Sequence, residues 1–231
     1  MVEPEIEVRS LREQVYEHLK RLMNGGRLRA GHFLDLNGLA REIGISRTPL
    51  RDALLRLESE GFVEILPRRG VRISELTPER IRHLYEIVGS LEATALRSVG
   101  ARITPRVVAR MREINDDMAQ ALDAADFDRF YDANLAFHDT YLKLSENGEM
   151  VQRIRILKER LYDFPRLQGF LLEWERASVN EHRRLVELLE EGRLEAAADF
   201  LRDVHWSFPV QEHFILRYYR AGYGIPAAPD D

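Results

Sequence analysis

The sequence predicts a mainly α-helical chain in two parts: three helices plus a β-hairpin, followed by an all-α helical bundle. Three observations predict it. Apolar residues recur at helical spacing through most of the chain. Near Pro67, two short β-type runs are joined by a Pro/Gly turn. The charge balance changes beyond the hairpin, with 13 Lys+Arg against 12 Asp+Glu through Leu76 and 21 against 27 in the remainder. A nearly neutral first part and an acidic second part divide the chain into modules at 8–76 and 77–222.

Each element has its own signal. Val15, Leu19, Leu22 and Met23 mark a first helix that stops at Gly25-Gly26. Leu36, Leu39, Ala40 and Ile43 mark a short second helix ended by Gly44. Ser46 is placed to cap a third helix with its hydroxyl. Pro49 is tolerated in the first turn, where its missing amide has no intrahelical partner. Leu50, Ala53, Leu54 and Leu57 then share one face until Gly61. Phe62–Leu66 and Val71–Ile73 are the hairpin strands, and Pro67-Arg68-Arg69-Gly70 is their turn. Thr77-Pro78-Glu79 and Thr104-Pro105 are helix starts. The stripe Ile81, Leu84, Tyr85, Val88, Leu91, Ala95, Val99 follows the first, and Val108, Met111, Ile114, Met118, Leu122 the second. A further helix carries Phe127, Phe130, Tyr131, Asn134, His138, Tyr141 and Leu142 inward, and another carries Val151, Ile154, Leu157 and Leu161. After breaks at Pro165 and Gly169, helices around Ser178–Leu189 and Leu194–Phe208 complete a bundle of about six. Gly222 to Asp231 has the composition of a frayed tail, although Phe214, Tyr218 and Tyr219 just before it are apolar enough to pack on something.

Composition excludes several classes of function. The 231 residues contain no Cys, which removes disulfides, iron–sulfur clusters and thiol nucleophiles. No apolar run is long enough to span a membrane. The start, MVEPEIEV, lacks a basic segment and an apolar segment, so it does not read as a secretory signal, and a cytoplasmic protein is expected. There is no HExxH, nucleophile elbow, P-loop or GxGxxG.

The third helix carries a second pattern opposite its apolar face. Its first turn exposes Arg47, Thr48 and Arg51, with the two arginines four residues apart and so pointing the same way. Guanidinium forks suit guanine edges or phosphates, and threonine can contact either. Arg68, Arg69 and Gly70 at the hairpin tip suit a narrow groove. This text, Leu39-Ala40-Arg41-Glu42-Ile43-Gly44-Ile45-Ser46-Arg47-Thr48-Pro49-Leu50-Arg51-Asp52-Ala53-Leu54 with Pro67-Arg68-Arg69-Gly70-Val71, resembles the GntR family of bacterial transcription regulators. The resemblance implies a winged helix-turn-helix that binds a double-stranded DNA operator. It implies DNA contacts at Arg47, Thr48 and Arg51, and at Arg69 and Gly70 in the wing, with Asn37 where many members carry a charged residue.

The second module resembles the FCD-type helical ligand-binding domain of the FadR subgroup. The matching pieces are Leu84-Tyr85-Glu86, Leu91-Glu92, Asn134-Leu135-Ala136-Phe137-His138, Glu181-His182-Arg183, Ala196-Ala197 and Leu201-Arg202. Helical periodicity turns His138, His182 and His205 inward from three helices. Three neutral imidazoles suit a divalent metal such as Zn, Ni or Mn. Three positions depart from the family's pattern. Asn134 stands where metal-binding members carry Asp. The final histidine would fall ungapped at Val204, one residue before His205, and a local helix irregularity would restore it, since neighbours differ by about 100° around a helix. Val88 replaces an arginine, removing a cation that could meet an effector carboxylate. Tyr85, Phe130, Tyr131, Phe137, Tyr141 and Trp206 read first as core.

The leading expectation is a homodimeric regulator, a repressor by resemblance, whose operator binding responds to a small organic acid held in the second module. The alternatives are a metal-assisted hydrolase using His138, His182 and His205, or a DNA-binding dimer with no effector. The spacing sets no Glu or Asp beside the histidines to act as a general base, which weighs against the hydrolase.

Overall fold

The computed structural model describes residues 10–162 and 171–223, so Pro165, Gly169 and the tail from 224 lie outside the described residues. By proximity along the backbone the chain separates into two units. One holds the residues up to Leu76 and takes in the end of the helix that passes Glu159; the other holds the remainder from Thr77.

The first unit is built from α1 (Leu11–Asn24), α2 (Leu36–Ile43), α3 (Arg47–Ser59), β1 (Val63–Leu66) and β2 (Gly70–Ile73). Ser10 caps α1 by accepting from the Glu13 amide, and Val15, Tyr16, Leu19 and Met23 form its buried stripe. Asp35 caps α2, accepting from the amides of Asn37 and Gly38. Gly38 makes that cap possible, because a Cβ there would lie 2.4 Å from the Asp35 carboxylate. Gly44 closes α2 in the left-handed region at φ 74°. α3 buries Leu50, Ala53, Leu54 and Leu57. Ser46 occupies the expected capping position, but its hydroxyl makes no capping bond. β1 and β2 pair antiparallel with Val63 opposite Ile73 and Leu66 opposite Gly70. A bridge from Phe33 to Arg72 ties the α1–α2 connection to the hairpin.

The second unit contains α4 (Pro78–Ser98), α5 (Pro105–Asp123), α6 (Phe127–Leu142), α7 (Gly148–Tyr162), which ends in the first unit, α8 (Leu172–Glu190), α9 (Leu194–Phe200) and α10 (Phe208–Tyr223). Thr77 and Thr104 cap α4 and α5 as their sequences predict, each with proline in the first turn. Three expectations are corrected. α8 begins at Leu172, well before Ser178. The helix expected over Leu194–Phe208 is broken: a π segment, Leu201–His205, follows α9, and a separate α10 runs on through Gly222. Phe127, placed inward by periodicity, is 45% exposed at the start of α6, where fewer neighbours overlie the first turn.

The core of this unit lies among Leu84, Val88, Leu96, Met111, Met118, Phe137, Tyr141, Ile154, Leu185 and Trp206, all buried. Gly89 sets the close approach of α4 to the end of the π segment, since a Cβ there would meet the Trp206 Cβ at 2.8 Å. Phe214 and Tyr218 of α10 pack their rings against Trp174, 6.1 and 5.7 Å between centroids, which accounts for two of the three aromatics near the terminus. The Tyr219 side chain lies outside the described residues.

Candidate functional site

In the first unit, α3 presents Arg47, Thr48 and Arg51 to solvent while Leu50 and Leu54 anchor the opposite face. The sequence predicts this split, because residues 47, 48 and 51 fall on the arc left free by the apolar stripe. Asn37, in the first turn of α2, accepts a hydrogen bond from the Arg47 guanidinium at 2.8 Å. Sequence reasoning did not see this contact, which needs the mutual placement of two helices. A neutral amide orients the guanidinium without cancelling its charge. At the hairpin tip Arg68, Arg69 and Gly70 are exposed, with Gly70 at φ 105° and Arg68 at φ 62°. The Arg69 guanidinium lies 5.9 Å from the ring centre of the half-exposed Phe33. The turn thus exposes two arginines, one of them with its guanidinium beside an aromatic ring.

In the second unit, His138 of α6, His182 of α8 and His205 of the π segment converge. One ligand nitrogen from each lies within 4.8 Å of the others, and all three are buried. Ring centres are 5.1 Å apart for His138 with His182 and with His205, and 4.9 Å for His182 with His205. The π segment explains how His205 arrives. The Trp206 amide bonds to the Leu201 carbonyl at 2.8 Å, five residues back, so the turn holds one residue more than an α-helix would. That extra residue absorbs the one-position offset between Val204 and His205. His205 is buried and Val204 only partly so.

The hydrogen bonds around the three rings differ. Nδ1 of His138 lies 2.8 Å from a Glu92 oxygen and 3.0 Å from the Tyr141 hydroxyl. Nδ1 of His205 lies 2.8 Å from Glu181. A carboxylate only accepts, so both rings donate from Nδ1 and direct the Nε2 lone pair elsewhere, an assignment that follows from the bonding pattern. Among the described residues, Nε2 of His138, both nitrogens of His182 and Oδ1 of Asn134 are buried with no hydrogen-bond partner. Asn134 precedes His138 by one turn of α6. Four unsatisfied buried acceptors or donors in one region are costly unless something binds them. Orphaned imidazole nitrogens backed by carboxylates fit a divalent metal.

Burial shapes the titration of the cluster. Burial pushes His138 down to about 4, against the opposing pull of Glu92. Burial, with His205 and His138 nearby, holds His182 well below the usual histidine range. Both rings are therefore neutral near pH 7, the form that ligates metal. Burial would raise Glu92, but His138, Lys158 and Tyr141 outweigh it and hold its carboxyl well below the usual range. Burial lowers Lys158, and Glu92 opposes that shift.

The spacing argument that no carboxylate stands beside the histidines is corrected, since Glu92 and Glu181 both contact them. Glu92 is fully buried and accepts from His138, Tyr141, the Trp206 indole at 3.0 Å and Lys158 at 3.1 Å. Glu181 also accepts from Gln211 at 2.7 Å, and Gln211 in turn accepts from the Trp174 indole at 3.0 Å. The signal for Glu92 and Lys158 was present in the sequence. Each interrupts an apolar stripe, Glu92 between Val88 and Ala95 and Lys158 between Ile154 and Leu161. Tyr141 and Trp206, read first as core, are core side chains whose polar ends serve Glu92. Val88 is buried with no cation of its own, whereas Lys158, from a different helix, brings one to the cluster.

The profile described as "Bacterial regulatory proteins, gntR family" matches residues 11–73, and the profile "FCD domain" matches residues 83–205. The chain belongs to the GntR family of regulators, with an FCD domain. FCD domains bind metabolites. An uncharacterized HTH-type transcriptional regulator of Streptomyces ambofaciens is 27% identical over 84% of this chain and 81% of its own length. The gluconate operon transcriptional repressor of Bacillus licheniformis is 27% identical over 68% of this chain and 61% of its own. The structure of E. coli McbR/YncC superposes with a TM-score of 0.68 at 23% identity, covering 92% of this chain and 99% of that one, which shows a shared fold. The relatives of this GntR-family chain are transcription regulators rather than enzymes, so the hydrolase alternative falls. No helix among the described residues is long and apolar enough to cross a membrane.

Proposed function

We propose that this GntR-family regulator is a cytoplasmic homodimer that represses transcription, and that a divalent metal in the FCD domain holds the small organic acid that relieves repression. The observation that carries the effector site is the set of buried, unpartnered nitrogens on His138 and His182, with His205 closing the triangle. His138, His182 and His205 would hold the metal, and Asn134 would offer a neutral oxygen. A bound Zn, Ni or Mn ion would supply a Lewis-acidic site for a carboxylate. Glu92 and Glu181 fix two of the rings, so that the ligand set is organised before a metal arrives. The gluconate operon transcriptional repressor among the relatives supports the sign of regulation.

On DNA, Arg47, Thr48 and Arg51 would enter the major groove while Arg68, Arg69 and Gly70 follow the backbone or minor groove. Fluorescence anisotropy on duplexes enriched from a random pool tests this. Arg47→Ala and Arg51→Ala should each cost about 1–3 kcal/mol of specific binding. His182→Ala should leave DNA binding intact and abolish the response to metal plus organic acid. Undiminished specific binding by both arginine variants would refute the DNA reading; an unchanged effector response in His182→Ala would refute the metal reading.

A further inference from the structure

The charges around the three histidines are unequal in their effect. Asn134 carries no charge and an imidazole ligates a metal only in its neutral form, so His138, His182, His205 and Asn134 would contribute none to a bound ion. Two carboxylates back the rings: Glu92 on His138 and Glu181 on His205. Glu181 has a neutral partner in Gln211. Glu92 has a cation, with Lys158 Nζ 3.1 Å from its second oxygen and both groups buried. Lys158 also lies 5.4 Å from the Trp206 ring centre, so its ammonium sits inside the cluster. Had Lys158 been apolar, like its stripe neighbours Ile154 and Leu161, two anionic carboxylates would neutralise a dication. With Lys158 present, one of those charges is already cancelled.

We infer that Lys158 leaves a divalent metal in this site short of one negative charge, so that tight metal binding requires a small monoanionic ligand to complete the site. The inference rests on the metal reading above and concerns the charge that reading leaves open. In the dry interior an uncompensated charge is expensive. Metal and anion therefore bind cooperatively, each raising the affinity of the other by the same factor. Lys158 acts through charge and does not ligate.

The test is zinc affinity of the full chain, measured by competition with a chromophoric chelator in sodium perchlorate and in sodium acetate of equal ionic strength. Wild-type protein should bind zinc at least threefold more tightly in acetate. Lys158→Met should bind at least tenfold more tightly than wild type in perchlorate and gain nothing from acetate. Glu92→Gln should bind at least tenfold more weakly, and Lys158→Arg should keep the acetate dependence. The opposite signs of the two neutralising substitutions are the signature, since a purely structural pair would weaken zinc in both. Weakening in both, or a wild-type affinity indifferent to acetate, overturns the inference while leaving the metal reading standing. The wild-type comparison decides even if Lys158→Met fails to fold. No zinc bound by any variant, His182→Ala included, overturns both.

Discussion

His182 is the residue whose surroundings make least sense without a ligand. Its ring stacks on Phe137 at 3.9 Å between centres, yet neither nitrogen has a partner among the described residues. An unpaired buried polar group costs about 1–3 kcal/mol. His182→Leu should therefore make metal-free protein more stable, by about 1 kcal/mol after loss of the ring stack, and should abolish the zinc-dependent rise in Tm. Urea denaturation with and without zinc checks both halves. The same burial sets a pH dependence. In the unfolded chain these histidines protonate near pH 6.5; folded, His138 is held down to about 4 and His182 is held low as well. Between about 6.5 and about 4 the unfolded chain binds more protons, so stability falls as pH falls through that window. Glu92, also held low, pushes the same way at still lower pH. Urea midpoints at several pH values, compared with those of His182→Leu, should show a shallower decline in the variant. On the proposed DNA face, Asn37→Ala should loosen Arg47 and relax base preference at one position of the selected site while leaving the salt dependence of binding unchanged.

At the scale of elements, the π segment is the feature on which the proposed metal site turns. Deleting Asp203, an exposed residue within it, should return the turn to α geometry and keep the third imidazole pointing inward, with zinc affinity preserved within a few fold. Combining Val204→His with His205→Val should swing that imidazole by about 100° and lower affinity sharply. Chelator competition separates the two. This element also shows what could be read in advance. Caps at Thr77 and Thr104, the α3 face and the hairpin follow from local chemistry and are legible residue by residue. The offset between Val204 and His205 flagged an irregularity, but its form depends on the close approach at Gly89 and on a five-residue hydrogen bond that no local rule specifies. The start of α8 and the separate α10 were missed because apolar residues such as Trp174 and Phe214 find their partners on each other's helices, at long sequence separation. Glu92 and Lys158 were visible only as blemishes on apolar stripes, and their meaning appears when two helices bring them together.

For the whole molecule, the proposed homodimer predicts two half-sites about one helical turn apart. Inserting five base pairs between them should reduce affinity toward that of a single half-site, which titration of spacer-variant duplexes would register. The second unit, which holds both tryptophans, also gives the regulator a way to report on itself. The chain has two tryptophans, and the structure ties each to a different histidine of the cluster: Trp206 through Glu92 to His138, and Trp174 through Gln211 and Glu181 to His205. Intrinsic fluorescence is therefore an unlabelled gauge of site occupancy, and a paramagnetic ion such as Ni or Mn at the histidines should quench it. Trp174→Phe and Trp206→Phe would resolve the signal into two channels, one watching α4 and the other watching α10.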